Sequence, residues 1–122
     1  GEQAVYSAFT GSRERETFTI TSKPNAHDKG FFSFTMYNAD GYIATINYAI
    51  NSDDMIPNKD GSYTVTFLAS GEPVKEGEKN VVRTPRGKFW TGVLRSYNVK
   101  DKNEGFAWVD SWTAKMNEAF KK

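Results

Sequence analysis

The segment from Phe31 to Ile50, FFSFTMYNADGYIATINYAI, constrains the fold of this chain more than any other. It is rich in aromatic and β-branched residues, which favour extended strands. Its first half alternates between two sets of side chains, Phe32, Phe34 and Met36 against Ser33, Thr35 and Tyr37. A period of two residues is typical of a half-buried strand. The segment therefore predicts strands from the centre of a β-sheet.

One turn signal interrupts this segment, at Asn38-Ala39-Asp40-Gly41. Asn at the first position and Gly at the fourth favour a type I turn that is closed by a left-handed glycine. We therefore predict an antiparallel hairpin between residues 31–38 and 42–48, with Gly41 at positive φ. The same Asn-x-Asp-Gly chemistry recurs at residues 58–61, before another alternating strand.

The remaining pattern predicts about seven strands and one helix. Further strands are expected at residues 3–9, 16–22, 62–69, 80–83 and 88–97, and residues 23–30 are expected to form a loop. Residues 98–105 are charged and predict a second loop. Beyond them, helical spacing joins four apolar residues, Val109, Trp112, Met116 and Ala119. We predict a C-terminal helix over residues 106–121, docked on its own sheets or on a second copy of the chain.

Length and composition favour one domain spanning residues 1–122, with strands over residues 1–97. Hydrophobic residues make up 38% of the chain and charged residues 25%, which is typical of a globular protein. The predicted fold class is mainly β. Its predicted architecture is an antiparallel β-sandwich of jelly-roll type with one C-terminal α-helix.

The chain contains no cysteine, which excludes disulfides, thiolate catalysis and zinc–thiolate sites. No apolar run approaches the ~20 residues that cross a membrane, and no signal peptide is visible. Gly1 followed by a strand-like segment suggests a fragment of a longer protein. The sequence leaves the compartment open, and an extracytoplasmic location would require a signal peptide in that longer protein.

Three segments resemble a bacterial family known as domain of unknown function 1214: FFSFTMYNADGYIA, NKDGSYTVTF and GKFWTGVLRSYN. The resemblance covers roughly residues 3–97. It implies a jelly-roll β-sandwich that forms the C-terminal half of a longer protein, after a second uncharacterised domain. Some relatives carry a carboxylesterase-like label, so the resemblance also raises a hydrolase as a hypothesis.

Catalytic and metal-binding patterns are weak. His27 is the one histidine, and no Gly-x-Ser-x-Gly element accompanies it, so an ordinary loop histidine is favoured over a catalytic base. Calcium could use four oxygen-bearing residues, but their order does not match a calcium loop: Asp53, Asp54, Asn58 and Asp60. We predict no metal and no cofactor, and we favour a non-catalytic protein over an enzyme.

A basic run over residues 79–100 contains no acidic residue but includes Phe89, Trp90 and Tyr97. Such a mixture can bind single-stranded nucleic acid. Alternation places Phe89 and Tyr97 on one face of the strand and Trp90 on the other, however, so the three rings do not form one stacking platform. Nucleic acid is therefore disfavoured as a partner.

Arg95 lies within an otherwise apolar strand, where a charge is costly unless it is paired. It could form a structural ion pair with an acidic residue, for which Asp40, Asp53, Asp54 and Glu16 are available. Alternatively, it could hold an anionic ligand. Exposed rings could floor a carbohydrate site, although core filling accounts for most of them. The candidate ligand-binding residues are Arg95, Tyr97, Tyr37, Tyr48 and Trp90.

These patterns favour a non-catalytic β-sandwich module that packs against a partner domain or assembles chains. The alternative is a module that binds a carbohydrate or a small anion, and the third hypothesis is the carboxylesterase-like hydrolase.

Overall fold

A computed structural model describes residues 4–37, 48–86 and 89–121 of the chain. The elements follow in chain order: β1 (Ala4–Gly11), β2 (Arg15–Ile20), β3 (Ala26–Tyr37), β4 (Ala49–Asn51), a 3-10 turn (Ser52–Asp54), β5 (Tyr63–Ala69), β6 (Val81–Thr84), β7 (Trp90–Val99) and α1 (Lys102–Ala119).

The strands form two sheets. Sheet A has four strands in the order β1-β7-β3-β4, and all of its pairs are antiparallel. Sheet B has three strands in the order β2-β5-β6. The prediction of a mainly β chain with a C-terminal helix is thus confirmed.

The prediction of an entirely antiparallel arrangement is wrong in sheet B, because β5 and β6 pair in parallel. Residues 70–80 connect these two strands and run back along the sheet, so that Thr66 lies opposite Val81 and Ala69 opposite Thr84. A parallel pair needs such a crossover, whereas a tight turn gives an antiparallel pair. The loop was predicted, but its return direction depends on tertiary contacts.

An aromatic core joins the two sheets. The Phe67 ring of β5 lies 5.4 Å from the Phe9 ring of β1 and 5.3 Å from the Phe34 ring of β3, both edge to face. Trp90 stacks on Phe67 at 6.0 Å, and its side chain is fully buried. Edge-to-face and offset contacts of this kind add to the free energy that burial alone contributes.

The predicted hairpin is described in part. Its turn at residues 38–41, including Gly41, and most of the predicted return strand lie outside the described residues. Strand β3 pairs antiparallel with β4, and Met36 N donates to Tyr48 O at 2.7 Å. At the second Asn-x-Asp-Gly site, Gly61 has a φ of +88° and its N–H donates to Asn58 O at 2.9 Å.

Two loop predictions need correction. β3 begins at Ala26, inside the predicted loop over residues 23–30, with a register shift before Phe31 where a bulge is accommodated. Helix α1 begins at Lys102, inside the predicted loop over residues 98–105. Asp101 caps this helix, because its side chain accepts from the backbone N–H groups of Asn103 and Glu104.

The helix docks on its own chain, mainly against β1 and also against β7. Val109, Trp112 and Met116 are buried, as their helical spacing predicts. The Trp112 ring meets the Phe18 ring of β2 edge to face at 5.9 Å. The helix thereby contacts both sheets at the side where β1 and β2 form their edges.

Candidate functional site

The two faces of sheet A have different environments. The inner face meets sheet B and α1 and is buried. The outer face is exposed or half-buried, and its side chains come from three neighbouring strands: Tyr6 and Ala8 of β1, Val93, Arg95 and Tyr97 of β7, and Phe31, Ser33, Thr35 and Tyr37 of β3. We call this set the outer face of sheet A.

Aromatic side chains are prominent on this face. Tyr6 of β1 is 64% exposed. Phe31 and Tyr97 are direct cross-strand neighbours, and their rings stack with centroids 4.5 Å apart and planes 22° apart. The outer face therefore offers aromatic surface that the described part of the chain does not cover.

Arg95 and Tyr37 meet on the same face. The Arg95 Nη2 donates to the Tyr37 hydroxyl at 3.1 Å. Of the acidic residues proposed as ion-pair partners, Glu16 pairs with Arg13 at 2.8 Å and Asp40 lies outside the described residues. Within the described ranges Arg95 forms no ion pair, so its guanidinium is available at the surface.

The other two predicted ligand-binding residues lie elsewhere. Trp90 is fully buried against Phe67 and Phe9 on the inner face, so it cannot contact a ligand on the outer face. Tyr48 is half-buried and packs against the hydrophobic core. The candidate site thus includes Arg95, Tyr97 and Tyr37 but neither Trp90 nor Tyr48.

A groove of about 760 Å³ adjoins this face where β4 of sheet A contacts β6 of sheet B. We call it the edge groove. Sheet A contributes residues of β3 and β4 and Tyr97 of β7, and the other residues come from β6, the 3-10 turn and the crossover residue Val74. Its lining consists of Phe31, Ser33, Thr35, Ala49, Ile50, Asn51, Asp54, Val74, Val81, Arg83 and Tyr97.

The polar side chains of the edge groove differ in how many hydrogen bonds they already form with other groups of the protein. Arg83 Nη1 donates to Glu72 O at 2.6 Å and to Ala69 O at 3.2 Å. Asn51 Oδ1 accepts from Asp53 N at 2.9 Å, which leaves its amide nitrogen available. Three side chains of the groove form no hydrogen bond or ion pair within the described ranges: Ser33, Thr35 and Asp54.

The sequence could have indicated part of this groove. Ser33 and Thr35 stand on the polar side of the alternating strand, which the pattern assigns correctly. Val74, Val81 and Arg83 reach the groove only because β6 lies beside β4. Local periodicity does not show which sheet edges lie side by side. The sequence around these residues therefore gives no indication that they line a groove.

An ion-pair network holds the crossover over residues 70–80. Arg15 pairs with Glu78 and, at 3.5 Å, with Glu72, and it donates to Pro73 O at 3.1 Å. Arg86 pairs with Glu72 and, at 3.1 Å, with Glu14. The hydrogen bond from Arg15 lowers the pKa of Glu78 below its ordinary value.

His27 lines a smaller cleft of about 210 Å³ together with Ser52 and Asp53. Ser52 Oγ accepts from Phe32 N at 3.0 Å, and no hydrogen bond joins it to His27. In the part of the chain that is described, no group of three His, Cys, Asp or Glu side chains could hold a metal ion. Asp60, one of the predicted calcium candidates, instead accepts from Ser62 N and Ser62 Oγ.

No helix among the described residues is both long and apolar enough to cross a membrane.

Comparisons with known proteins confirm the predicted resemblance. A family model described as "Protein of unknown function (DUF1214)" matches residues 6–101, which include β2 to β7. Among solved structures, the chain is similar to the VPA0106 protein from Vibrio parahaemolyticus, with 22% identity and a TM-score of 0.64 over 84% of this chain. The chain spans 28% of the length of that protein. No curated protein matches the chain.

Proposed function

The chain belongs to the DUF1214 family, and we propose that it works as a non-catalytic module that packs against a partner domain or assembles chains. The surface that makes this contact is the outer face of sheet A. The observation that carries the proposal is the exposure of this face. Tyr6 is 64% exposed, and it lies directly opposite Arg95 on the neighbouring strand. Tyr and Arg, together with Trp, are enriched among the residues that contribute most of the binding energy at protein interfaces.

The size of the structural neighbour supports this proposal. The matched fold accounts for 28% of the VPA0106 chain, so most of that protein lies outside it. A domain in such a protein has neighbours that could cover an exposed sheet face. We also propose that residues 1–122 form one domain and that its two sheets make a β-sandwich of jelly-roll type, which the family resemblance and the shared core support.

The test is sedimentation velocity with matched variants. The chain is measured alone at rising concentration and, where its gene encodes more, mixed with the separately expressed remainder. Association is expected in one of the two samples, and Tyr6→Ser is expected to weaken it by about tenfold or more. Ile56→Ser is the control, because Ile56 is 70% exposed and its backbone is hydrogen-bonded to Asn80, next to β6 of sheet B, so it is not part of the outer face of sheet A. Monomers in both samples, or equal weakening by both variants, would contradict the proposal.

Ligand binding in the edge groove is a second candidate function, and the ligand would be a carbohydrate or a small anion. The groove supports it with a volume of about 760 Å³, which lies within the roughly 300–1,000 Å³ of small-molecule sites. A carboxylesterase-like hydrolase is the third candidate. It receives no support from His27, since this residue forms no hydrogen bond to a hydroxyl within the described residues.

A further inference from the structure

The edge groove has a chemical character that narrows its ligand class. Ser33 and Thr35 contribute two hydroxyl groups, one residue apart on the same face of β3. Asn51 lies directly opposite Ser33 on β4 and contributes a free amide N–H₂. Hydroxyl groups both donate and accept, and the amide adds a donor, so the groove can match a ligand that itself presents both kinds of group.

The charged side chains of the groove do not select an anion. Its cation, Arg83, already donates from Nη1 to two backbone carbonyl groups, which fix it to the crossover. Its acidic residue, Asp54, has no ion pair within the described residues and is exposed. Neither residue has an ion-pair partner within the described ranges, so the positive charge of Arg83 and the negative charge of Asp54 offset each other and the groove has no excess positive charge to attract an anion. Hydroxyl groups of a neutral ligand could donate to the Asp54 carboxylate, which is a stronger acceptor than a neutral group.

Apolar surface complements these polar groups. The stacked Phe31–Tyr97 pair lines the groove together with Val81 and with Val74, which is 51% exposed. A site that combines an aromatic wall with a few placed polar groups is typical of small-molecule binding. The C–H face of a sugar ring suits an aromatic wall, because aromatic rings carry negative charge on their faces.

We propose that the edge groove binds a neutral carbohydrate, with a sugar ring against the Phe31–Tyr97 pair and its hydroxyl groups hydrogen-bonded to Ser33, Thr35, Asn51 and Asp54. This inference rests on the second candidate function, ligand binding in the groove. It names the carbohydrate, not the small anion, as the occupant of this groove. The inference is tested on the isolated chain, because Phe31, Ser33, Thr35 and Tyr97 belong both to the groove and to the outer face of sheet A that partner packing would cover.

An NMR titration of the isotopically labelled chain tests the inference. The probes are cellotriose, maltotriose and chitotriose, with sodium phosphate as the anionic probe. At least one trisaccharide is expected to shift the amide resonances of Ser33, Thr35 and Asn51 saturably, with a dissociation constant in the millimolar range. Phosphate is expected to leave these three resonances unchanged.

Two threonine variants locate the site. Thr35→Val removes a groove hydroxyl while keeping a β-branched shape that suits a strand, and it is expected to weaken saccharide binding by about tenfold. Thr91→Val makes the same change on the same sheet face outside the groove, opposite Tyr37, and is expected to leave binding unchanged. Equal weakening by both variants would overturn the assignment of the groove.

The possible outcomes distinguish a wrong ligand class from the absence of any ligand binding in the groove. If phosphate shifts the groove resonances and no trisaccharide does, ligand binding stands and the carbohydrate class is wrong. If none of the four probes shifts them, both the carbohydrate class and the second candidate function are overturned. Saccharide shifts that map only to residues outside the groove would also overturn the inference.

Discussion

Sheets A and B differ in how deeply the side chains on their outer faces are buried. In sheet B the central strand β5 is buried on both sides: Phe67 points into the shared core, Leu68 points outward, and both are fully buried. In sheet A the central strand β7 alternates, with Leu94 fully buried and Arg95 half-buried. The same chain thus covers one outer face itself and leaves the other uncovered within the described residues.

The crossover over residues 70–80 explains the cover of sheet B. Leu68 lies between Arg15 on β2 and Arg83 on β6, which are its direct cross-strand neighbours. Both arginines reach the crossover, Arg15 at Glu78 and Arg83 at the carbonyl oxygen of Glu72. A polar loop can therefore complete a sheet face when ion pairs and carbonyl contacts fix it there. Among the residues that the structure describes, the outer face of sheet A has no such cover, and we therefore propose it as an interaction surface.

The largest effect is expected at the side where the helix joins both sheets. Trp112→Ala removes a buried ring that contacts Phe18, and it should lower the free energy of unfolding by about 3–5 kcal/mol. Because the helix docks on its own chain, the loss should be the same at every protein concentration. Guanidinium unfolding measures it, and a loss that disappears at high concentration would show that the helix docks on another copy.

A matched pair on the two outer faces tests the comparison itself. Leu68→Ala should cost about 2–5 kcal/mol, because its side chain is fully buried beneath the crossover. Val93→Ala on the outer face of sheet A should cost less than about 1 kcal/mol, because its side chain is only half-buried. Similar losses in the two variants would mean that both outer faces are covered alike.

Acid should lower the stability that the crossover over residues 70–80 contributes to the fold. The folded-state pKa of Glu78 is below its ordinary value of 4.5, chiefly because Arg15 donates to the carboxylate. A depressed pKa contributes stability that is fully present above the ordinary value and is lost as pH falls through the folded-state value. Asp60, whose pKa is lowered mainly by Ser62, contributes in the same direction.

The measurement is the free energy of unfolding of wild type and Glu78→Gln between neutral pH and pH 3. Wild type should be the more stable at neutral pH, and the gap should narrow as the pH falls below about 4.5. Glu118→Gln is the control, since Glu118 is exposed on α1 and forms no ion pair within the described residues. A gap that stays constant with pH would refute the role of the Glu78 carboxylate.

The smallest effect on stability is expected at Tyr6. Since its side chain is 64% exposed, Tyr6→Ser should change the free energy of unfolding of the isolated chain by no more than about 0.5 kcal/mol. Thermal unfolding of wild type, Tyr6→Ser and Trp112→Ala measures this change, and the large loss expected for Trp112→Ala serves as the reference. A large loss at Tyr6 would mean that this residue supports the fold and that the sedimentation test must use another position.

Much of this arrangement could be predicted from alternation and spacing. The strand from Phe31 onward, its two faces and the apolar stripe of the helix follow from periods of two and 3.6 residues. The helix start was placed too late because the apolar stripe begins only at Val109. A local signal was present, however: Asp101 followed by Glu104 matches the residue spacing of a helix cap.

The candidate site was harder to predict. Alternation assigns Arg95 and Tyr97 to one face of their strand and places Tyr37 on one face of another. It does not show that the two strands are neighbours, as the structure does. The edge groove depends on β4 lying beside β6, and the cover of sheet B depends on a parallel crossover. Both are long-range arrangements, in which the decisive contacts join residues far apart in the chain, and no local pattern specifies them.

The central proposal is that the outer face of sheet A is open in the isolated monomer and covered once the module has packed against its partner, whereas sheet B is covered in both states. Hydroxyl-radical footprinting of the dilute monomer and of the associated sample found by sedimentation tests this directly. The account predicts that Leu68 is protected in both samples, and that Tyr6 is modified in the isolated chain but protected in the assembled protein. Equal modification of Tyr6 in both samples, or modification of Leu68 as fast as Tyr6 in the isolated chain, would contradict it.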